Sequence, residues 1–351
     1  VQKGTSVTFS TAYDYYDKYF KEYESFRGFL VKDEPRLEQI DELADSVIGY
    51  NQRMGEKEYF VNLFPSYAPN MKDYKAYLEK YASSVLDKTS GEKWLSMDHY
   101  ALTYNTKGEK DLAPNWLSDI EYTAEVGKAH GAKTHFFIQS MPFSFNGTAA
   151  GSRDRTPTLA DFRLQMYTYL AFGAAGMTHF CYGTPPVNDI EFNESHLALV
   201  DREGKKTELY DLAKKVNFEL LKFGKAYSSF EWQGVYPVIG SQTLTTRSSD
   251  IRNIRNPLDI SDLYEFSEIT STRDTLVGSF IDEESNNGYI LVNYGETTKS
   301  IVSDVSLKCK TANTVRVYQK GKMQEVAVKD GEVKISLEPG EGVFIIPYVK
   351  G

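Results

Sequence analysis

The sequence has few of the features that point to a metal, a phosphate group or a membrane. Its two cysteines, Cys181 and Cys309, are too few and too far apart for a disulfide framework or a thiolate metal site. No run of about 18 apolar residues predicts a membrane span. The five histidines lack the paired spacing of a catalytic metal site, and no glycine-rich phosphate loop or Gly-x-Ser-x-Gly elbow occurs. We therefore predict no cofactor and no metal.

The charge balance also excludes a class of partners. The formal net charge is −9 and the chain contains no Lys/Arg run, which argues against nucleic acids and anionic membrane surfaces. Aromatic residues are abundant, with 25 tyrosines and 20 phenylalanines. Aromatic rings stack on the faces of sugar rings, so this composition suits a carbohydrate partner, although it suits many other ligands as well.

The first two thirds of the chain repeat one pattern. Short apolar runs at 28–32, 59–63, 94–97, 134–139 and 177–182 alternate with helix-period stretches at 36–49, 71–86, 116–130, 158–174 and 207–223. Strands that alternate with helices predict βαβ units and a parallel sheet. A further helix is predicted at 12–25. The predicted fold class of this part is α/β.

A closed (β/α)8 barrel needs eight strands, and only five βα units are visible here. We therefore expect about three N-terminal units of the barrel to be missing from this chain, and the missing part to be a partner of it. After residue 235 short alternating runs and turn signals predict an antiparallel β-sandwich. The predicted domains are a partial catalytic barrel at 1–235 and a sandwich at 236–351.

Polar or aromatic side chains stand at the carboxyl end of each predicted parallel strand, where barrel enzymes hold their catalytic groups. They are Asp33 and Glu34, Asn62 and Tyr67, Asp98, His99 and Tyr100, Gln139, and Tyr182. Carboxylates, amides and phenols together suit a sugar pocket. At the first strand an alternative remains, because Asp33 could instead cap the helix that follows, with Pro35 in its first turn.

The combination of strand-end motifs resembles the (β/α)8-barrel glycoside hydrolases, including the β-galactosidase-like families. The motifs are Gly-Phe-Leu-Val-Lys-Asp-Glu-Pro at 28–35, Val-Asn-Leu-Phe-Pro-Ser-Tyr at 61–67, Leu-Ser-Met-Asp-His-Tyr at 95–100 and Phe-Phe-Ile-Gln-Ser at 136–140. The resemblance covers about residues 20–225. It implies that Glu34 is the general acid/base at the fourth barrel strand, with Asp33 in place of an asparagine that contacts the sugar.

The resemblance also exposes a departure. The seventh strand of such barrels ends in a nucleophilic glutamate, and here Gln139 occupies that position. An amide cannot form the glycosyl ester of a retaining enzyme. Three explanations stay open: Asp98 supplies the second carboxylate of an inverting pair, the base comes from the missing N-terminal part, or catalysis has been lost. Asp33 is less attractive as the second carboxylate, because neighbouring strand residues point to opposite faces.

The sequence thus predicts a glycosidase that cleaves O-glycosidic bonds of a glycan or oligosaccharide in polysaccharide degradation. Glu34 and Asp98 are the predicted catalytic residues, and the remaining strand-end residues are predicted to bind the substrate. His99 could orient Asp98 or bind a sugar hydroxyl. The alternatives are a non-catalytic glycan-binding protein and a protein whose sandwich is the working module. Residue 1 is valine, so we expect a processed or truncated N-terminus. No signal peptide is visible in the sequence, and we expect a secreted, periplasmic or cell-surface protein from the implied function.

Overall fold

The computed structural model describes residues 8–145, 148–153, 155–188, 191–243, 247–295, 297 and 300–351. In the first part the strands are β1 (Gly28–Asp33), β2 (Glu58–Leu63), β3 (Trp94–Met97), β4 (Leu102–Tyr104), β5 (Lys110–Leu112), β6 (Lys133–Gln139), β7 (Phe143–Phe145), β8 (Thr148–Arg153) and β9 (Ala174–Phe180). The α-helices of the whole chain are α1 (Phe9–Tyr15), α2 (Ile40–Met54), α3 (Tyr74–Ser84), α4 (Trp116–Ala129), α5 (Leu159–Ala171), α6 (Glu208–Leu221) and α7 (Gly224–Tyr227).

The predicted parallel sheet is confirmed. Its five strands are ordered β1-β2-β3-β6-β9, and every neighbouring pair is parallel. The sheet stays open, and no closed barrel forms from the described residues. The other strands of this part form two short antiparallel hairpins, β4-β5 and β7-β8, which sequence periodicity did not predict.

The two faces of the parallel sheet differ in their cover. One face carries Val61, Leu95 and Phe136, all fully buried in the core that the helices share. The opposite face is only partly covered, and Leu30 on it is 61 % exposed. Parallel sheets normally have both faces covered. The strand-end residues described below project from the carboxyl end of this sheet.

The C-terminal part contains antiparallel sheets, as predicted, and is called the sandwich below. Its strands are β10 (Phe230–Val238), β11 (Phe266–Ser271), β12 (Thr275–Asp282), β13 (Asn287–Asn293), β14 (Ser303–Cys309), β15 (Thr314–Gln319), β16 (Lys322–Ala327), β17 (Glu332–Leu337) and β18 (Gly342–Tyr348). A six-stranded sheet, β10-β12-β13-β18-β15-β16, faces a three-stranded sheet, β11-β14-β17, across a second apolar core. Strand β10 runs across the predicted domain boundary at residue 235, which stays a prediction.

Helix α5 joins the two parts, because it packs between the parallel sheet and the six-stranded sheet. Every residue of α5 from Asp161 onward is buried. The helix lies so close to the sandwich that a Cβ at Gly278 would come within 2.2 Å of the Ala171 carbonyl oxygen, and one at Gly342 within 2.3 Å of the Tyr167 ring. These glycines permit the close approach. The apolar core is consequently continuous from the parallel sheet into the sandwich.

Two sequence predictions differ from the structure in the N-terminal segments. The predicted helix 12–25 is instead α1 followed by a π-helical turn, Tyr16–Phe20. Asp33 is not a helix cap: it is the last residue of β1, and a 3-10 turn, Leu37–Gln39, precedes α2 with Arg36 at its N-cap. Further 3-10 turns occur at Leu86–Lys88, Ile251–Asn253 and Ile260–Asp262.

Candidate functional site

Three carboxylates gather at the carboxyl end of the parallel sheet. β1 ends at Asp33 and Glu34 follows it, while Asp98 comes directly after β3. A bulge in β1 sets Leu30 opposite Phe60 but Asp33 opposite Asn62, so one extra residue lies between these pairs. This bulge places Asp33 beside the β2 residue that faces the site.

The sequence argument against Asp33 as the second carboxylate assumed that side chains alternate between faces along an extended strand. The backbone geometry at Glu34 breaks this alternation. Glu34 has a φ of 47°, a left-handed conformation that non-glycine residues seldom adopt. Its amide donates to the Asn62 carbonyl oxygen at 2.8 Å, which anchors the turn to β2. The side chains of Asp33 and Glu34 therefore need not point to opposite faces. Strain of this kind is common at functional sites.

The Glu34 carboxyl has a strongly perturbed proton affinity. Burial raises its pKa to about 7 from the ordinary 4.5, and the negative charges of Asp33 and Glu191 act in the same direction. Glu191 lies in the segment that follows β9, and sequence reasoning did not select it. A carboxyl with a pKa near neutrality can both give and take a proton at physiological pH.

Asp98 is buried more deeply than Glu34, with 9 % of its surface exposed. Burial raises its pKa well above the usual range, and the Glu34 charge adds to this. Hydrogen bonds from Asn62 and Tyr100 act the other way because they stabilise the ionised carboxylate. The Tyr100 hydroxyl donates to Asp98 Oδ2 at 3.1 Å, while Oδ1 has no hydrogen-bond partner among the described residues.

Glu34 and Asp98 consequently titrate as a pair. Two like charges in one desolvated site oppose each other's ionisation. The pair is therefore expected to keep one proton near neutral pH. Asp98 receives two hydrogen bonds that favour its charge, whereas no described residue donates to the Glu34 carboxyl. The donors therefore favour an ionised Asp98 beside a protonated Glu34. Such an arrangement combines one acid with one base.

His99 is oriented by a residue that the sequence analysis missed. Its Nδ1 lies 2.7 Å from Asp119 Oδ2 of α4, and both side chains are buried. The same Asp119 oxygen accepts the Ser66 amide at 2.9 Å, and the Tyr67 ring packs edge-on against His99 at 4.9 Å. A sequence signal existed, because Asp119 is an acid on the apolar face of a helix, one turn after Trp116. Among the hydrogen bonds of the described residues none joins His99 to Asp98, so the orientation of Asp98 by His99 stays a prediction.

The other predicted binding residues fall into two groups. Asn62, Tyr67 and Tyr100 lie beside the carboxylates, and Asn62 Nδ2 donates to Asp33 Oδ1 at 3.1 Å. Gln139 and Tyr182 have other surroundings: Gln139 is fully buried with its Oε1 accepting the Leu102 amide at 2.8 Å, and Tyr182 is 63 % exposed. Their contact with a substrate stays a prediction.

An aromatic cluster borders the carboxylates. The Tyr100 ring lies 5.1 Å from both Phe143 and Phe180, and Phe192 lies 6.5 Å from each of these two phenylalanines. The Ser144 amide donates to the Glu191 carbonyl at 2.9 Å, which holds the Phe192 segment against β7. Apolar walls of this kind account for the desolvation at Asp98 and Glu34.

Tyr77 is a second residue that sequence reasoning missed. Its hydroxyl donates to the Pro35 carbonyl at 2.7 Å, and it accepts the Phe64 amide at 3.4 Å. It thereby ties the segments after β1 and β2 to helix α3. Among the described residues, no group of three or more His, Cys, Asp or Glu side chains has an arrangement that could hold a metal ion. Likewise, none of the described helices combines the length and apolar character needed to cross a bilayer.

Comparisons with known proteins found only distant similarity. No protein-family model and no curated protein matches the chain. Solved structures that match it include glycoside hydrolases at low identity. A β-galactosidase from the psychrophilic Marinomonas ef1 is 12% identical over 55% of this chain and 28% of its own, with a TM-score of 0.39.

Two α-amylases match more of the chain at similar identity. The Anoxybacillus enzyme is 12% identical over 90% of this chain and 64% of its own, with a TM-score of 0.40. The Geobacillus thermoleovorans enzyme, complexed with acarbose, is 11% identical over 89% of this chain and 65% of its own, with a TM-score of 0.41. The chain spans less than two thirds of the length of each of these three proteins. Similarity this low carries no argument about function, which rests on the site.

Proposed function

We propose that the chain is a glycoside hydrolase that cleaves O-glycosidic bonds by general acid/base catalysis. The observation that carries the proposal is the carboxylate pair Glu34 and Asp98. Burial raises both pKa values, and the charges of Asp33 and Glu191 add to this at Glu34 while the charge of Glu34 adds to it at Asp98. Hydrolysis of a glycosidic bond needs one carboxylic acid and one carboxylate. A pair that shares one proton near neutral pH supplies both.

In the proposed reaction Glu34 donates its proton to the leaving-group oxygen, as the sequence analysis expected. Asp98, whose ionised form the hydrogen bonds from Tyr100 and Asn62 favour, accepts a proton from water as the water attacks the anomeric carbon. The glycosidic bond breaks, one sugar leaves as an alcohol, and the other carries the water oxygen. This single displacement inverts the anomeric configuration. Tyr67 and Tyr100 are proposed to contact the sugar.

The test is a screen for released reducing ends over a broad glycan panel, with wild type, Glu34→Gln, Asp98→Asn and Glu38→Gln run in parallel, each in a polypeptide that carries its complete N-terminal region. Glu38 is an exposed acid four residues beyond Glu34 and serves as the matched control. We expect release by wild type and the control, and a loss of roughly 10²–10⁴-fold in the other two variants. Near-normal turnover in Glu34→Gln would remove Glu34 from the mechanism.

The anomeric configuration of the first-formed product then tests the role of the second carboxylate, Asp98. An inverted product supports Asp98 as the base that activates water. A retained product would require a nucleophile, and would remove Asp98 from the proposed role.

A second candidate function is glycan binding without catalysis. It is favoured by Gln139, the amide at the position where the resembling enzymes carry a nucleophile, because this side chain is fully buried and bonded to the Leu102 amide. Saturable oligosaccharide binding without release of reducing ends by any variant would favour this function over hydrolysis.

We also propose that further βα units, outside residues 1–351, complete the sheet at β1. Strand β1 is an edge of the sheet, and its Leu30 side chain is 61 % exposed on the uncovered face. Exposed apolar edge strands are seldom left without a partner. A longer polypeptide that releases reducing ends where residues 1–351 do not would support this; equal release by both would contradict it. Location outside the cytoplasm stays a prediction.

A further inference from the structure

A chain of hydrogen bonds crosses all five parallel strands and ends at the carboxylates. Asn62 Nδ2 lies 3.1 Å from Asp33 Oδ1, and Asn62 Oδ1 lies 3.0 Å from Ser96 Oγ. Ser96 Oγ lies 3.1 Å from His135 Nδ1, and His135 Nε2 lies 2.9 Å from Thr178 Oγ1. The three middle residues are buried, whereas Thr178 is exposed at the edge strand.

The partners fix the direction of every bond in this chain. Asn62 presents its NH₂ group to Asp33 Oδ1 and its carbonyl oxygen to the Ser96 hydroxyl. Ser96 must then donate its hydroxyl proton to Asn62, and its oxygen must accept from His135 Nδ1–H. His135 Nε2 carries no proton in this arrangement and accepts from Thr178. The network thus assigns one tautomer to His135.

The surroundings of His135 keep the imidazole neutral. Burial lowers its pKa to about 4. Aromatic rings enclose it, with Phe60 and Phe137 at 5.2 and 5.3 Å and Trp94 at 6.3 Å. A neutral imidazole with Nδ1–H has one donor and one acceptor, which matches its two partners, Ser96 and Thr178.

We propose that His135 is a positioning residue that acts through Ser96 to hold the Asn62 amide as a hydrogen-bond donor toward the carboxylates. The inference rests on the proposed function of the Glu34 and Asp98 pair. If the amide turned over, its carbonyl oxygen would face Asp33 and Asp98, and the ionised form of Asp98 would lose a donor.

Other titratable groups also face the carboxylate pair and must be kept constant in any test. They are Asp33, Glu191, Tyr74, Tyr77, Tyr100 and Tyr169. None of these side chains is changed by a substitution at Ser96, His135 or Thr178. A shift in the titration of the pair in such variants therefore reports on the hydrogen-bond chain.

The first test compares pH profiles of kcat/KM on a cleaved glycan. Ser96→Ala and His135→Leu should move the acidic limb of the profile to higher pH by about one unit, because the ionised Asp98 loses the hydrogen bond that stabilises it. Thr178→Val, at the far end of the chain, should give a smaller shift. His135→Asn places an amide donor near the former Nδ1 and should return the acidic limb to its wild-type pH. His179→Leu is the matched control, since His179 contacts Asn217 instead.

A profile that stays unchanged in His135→Leu, in a protein that folds normally, would overturn the proposal. So would a shift of equal size in the His179→Leu control. If His135→Leu fails to fold, the Ser96→Ala and Thr178→Val series decides: the proposal requires the larger shift at Ser96, and the reverse order would contradict it.

The second test does not depend on turnover. Nitrogen-15 NMR of the histidine side chains in the wild-type protein should show His135 as the neutral Nδ1–H tautomer at pH 7. In Ser96→Ala the carboxyl carbon of Asp98 should titrate at higher pH than in wild type. An Nε2–H tautomer, or an unchanged Asp98 titration, would overturn the inference. Lack of glycan cleavage with both NMR results as expected would count against the proposed function alone.

Discussion

Two clusters of ionisable side chains, each with buried members, differ in how their charges are arranged. At the carboxylate cluster (Asp33, Glu34 and Asp98), the like charges of Glu34 and Asp98 share a desolvated site beside the exposed Asp33, and Asp98 Oδ1 has no described partner. At the Arg163 cluster (Arg163, Glu219 and Glu338), which joins α5 and α6 to the sandwich, one cation meets two carboxylates. Arg163 donates to Glu219 at 2.6 and 3.1 Å and to Glu338 at 2.8 Å.

The proton affinities follow these arrangements. Burial opposes the Arg163 charge, but hydrogen bonds and the charge of Glu219 outweigh burial and raise the pKa of Arg163 above its usual range. In the carboxylate cluster nothing offsets burial fully, so both acids resist ionisation. The difference separates a cluster in which opposite charges pair from one whose carboxyls resist ionisation, as the proposed proton transfer requires. The next four predictions examine this difference, beginning with the largest effect.

Removing the cation of the Arg163 cluster should give the largest loss of stability. Arg163→Met leaves Glu219 buried without its partner, which typically costs about 3–5 kcal/mol. Denaturant unfolding would measure the change. The double variant Arg163→Met/Glu219→Met removes both charges and should recover most of the loss. A single variant as stable as wild type would show that this pair does not stabilise the fold.

His135 should make stability depend on pH in the acidic range. Its folded pKa of about 4 lies below the ordinary 6.5, so the unfolded chain binds the extra proton first. The resulting stability is present above pH 6.5 and is lost as pH falls toward 4, by about 3 kcal/mol. Unfolding measured across this range should show that His135→Leu lacks this loss. Parallel wild-type and variant curves would contradict the buried neutral imidazole.

Removing a charge from the carboxylate cluster should stabilise the protein. The pKa of Glu34 rises on folding, so the contribution of its protonation to the free energy of unfolding is present below pH 4.5 and is lost as pH rises through 7. The shift corresponds to about 3 kcal/mol, which partial exposure of Glu34 reduces to about 2 kcal/mol. Glu34→Gln should therefore unfold at higher denaturant concentration than wild type at pH 8.

The same substitution provides its own control at low pH. Below pH 4.5 wild type and Glu34→Gln should unfold at the same denaturant concentration, since the carboxyl is protonated in both states. Destabilisation by Glu34→Gln at pH 8 would mean that the charge at this position supports the fold, in contrast to the arrangement described above.

The smallest effect is expected at an exposed ion pair. Arg27 contacts Glu58 and Glu92 at the amino end of the sheet, with a side chain that is 67% exposed. Solvent screens such pairs, so Arg27→Ala should leave the unfolding midpoint unchanged. A loss comparable with that of Arg163→Met would show that pairing, rather than burial, determines the contribution of these clusters.

Sequence periodicity predicted the sheet well because each parallel strand is an apolar run between helical stretches. The predicted strand 94–97 matches β3, and the predicted strand 28–32 misses only Asp33 of β1. The described residues form an open sheet and not a closed barrel. The hairpin β7-β8 and strand β11 were missed because such short or half-exposed segments carry little periodicity.

The candidate site was predictable in its residues more than in its geometry. Glu34 and Asp98 follow apolar strands, so their positions at one end of the sheet could be expected from the sequence. The bulge in β1 and the left-handed φ of Glu34 could not, because neither has a local signature such as glycine. Asp119 and Glu191 reach the site from distant segments, and His135 gains its partners only when strands become neighbours.

The most direct measurement is a carbon-13 NMR titration of the carboxyl groups of Glu34 and Asp98 in the wild-type protein. The arrangement described here predicts that the pair keeps one proton at pH 6–7, with the Glu34 carboxyl titrating near 7. Ionisation of both carboxyls by pH 5 would contradict it, because the pair would then have no acid to protonate a leaving group.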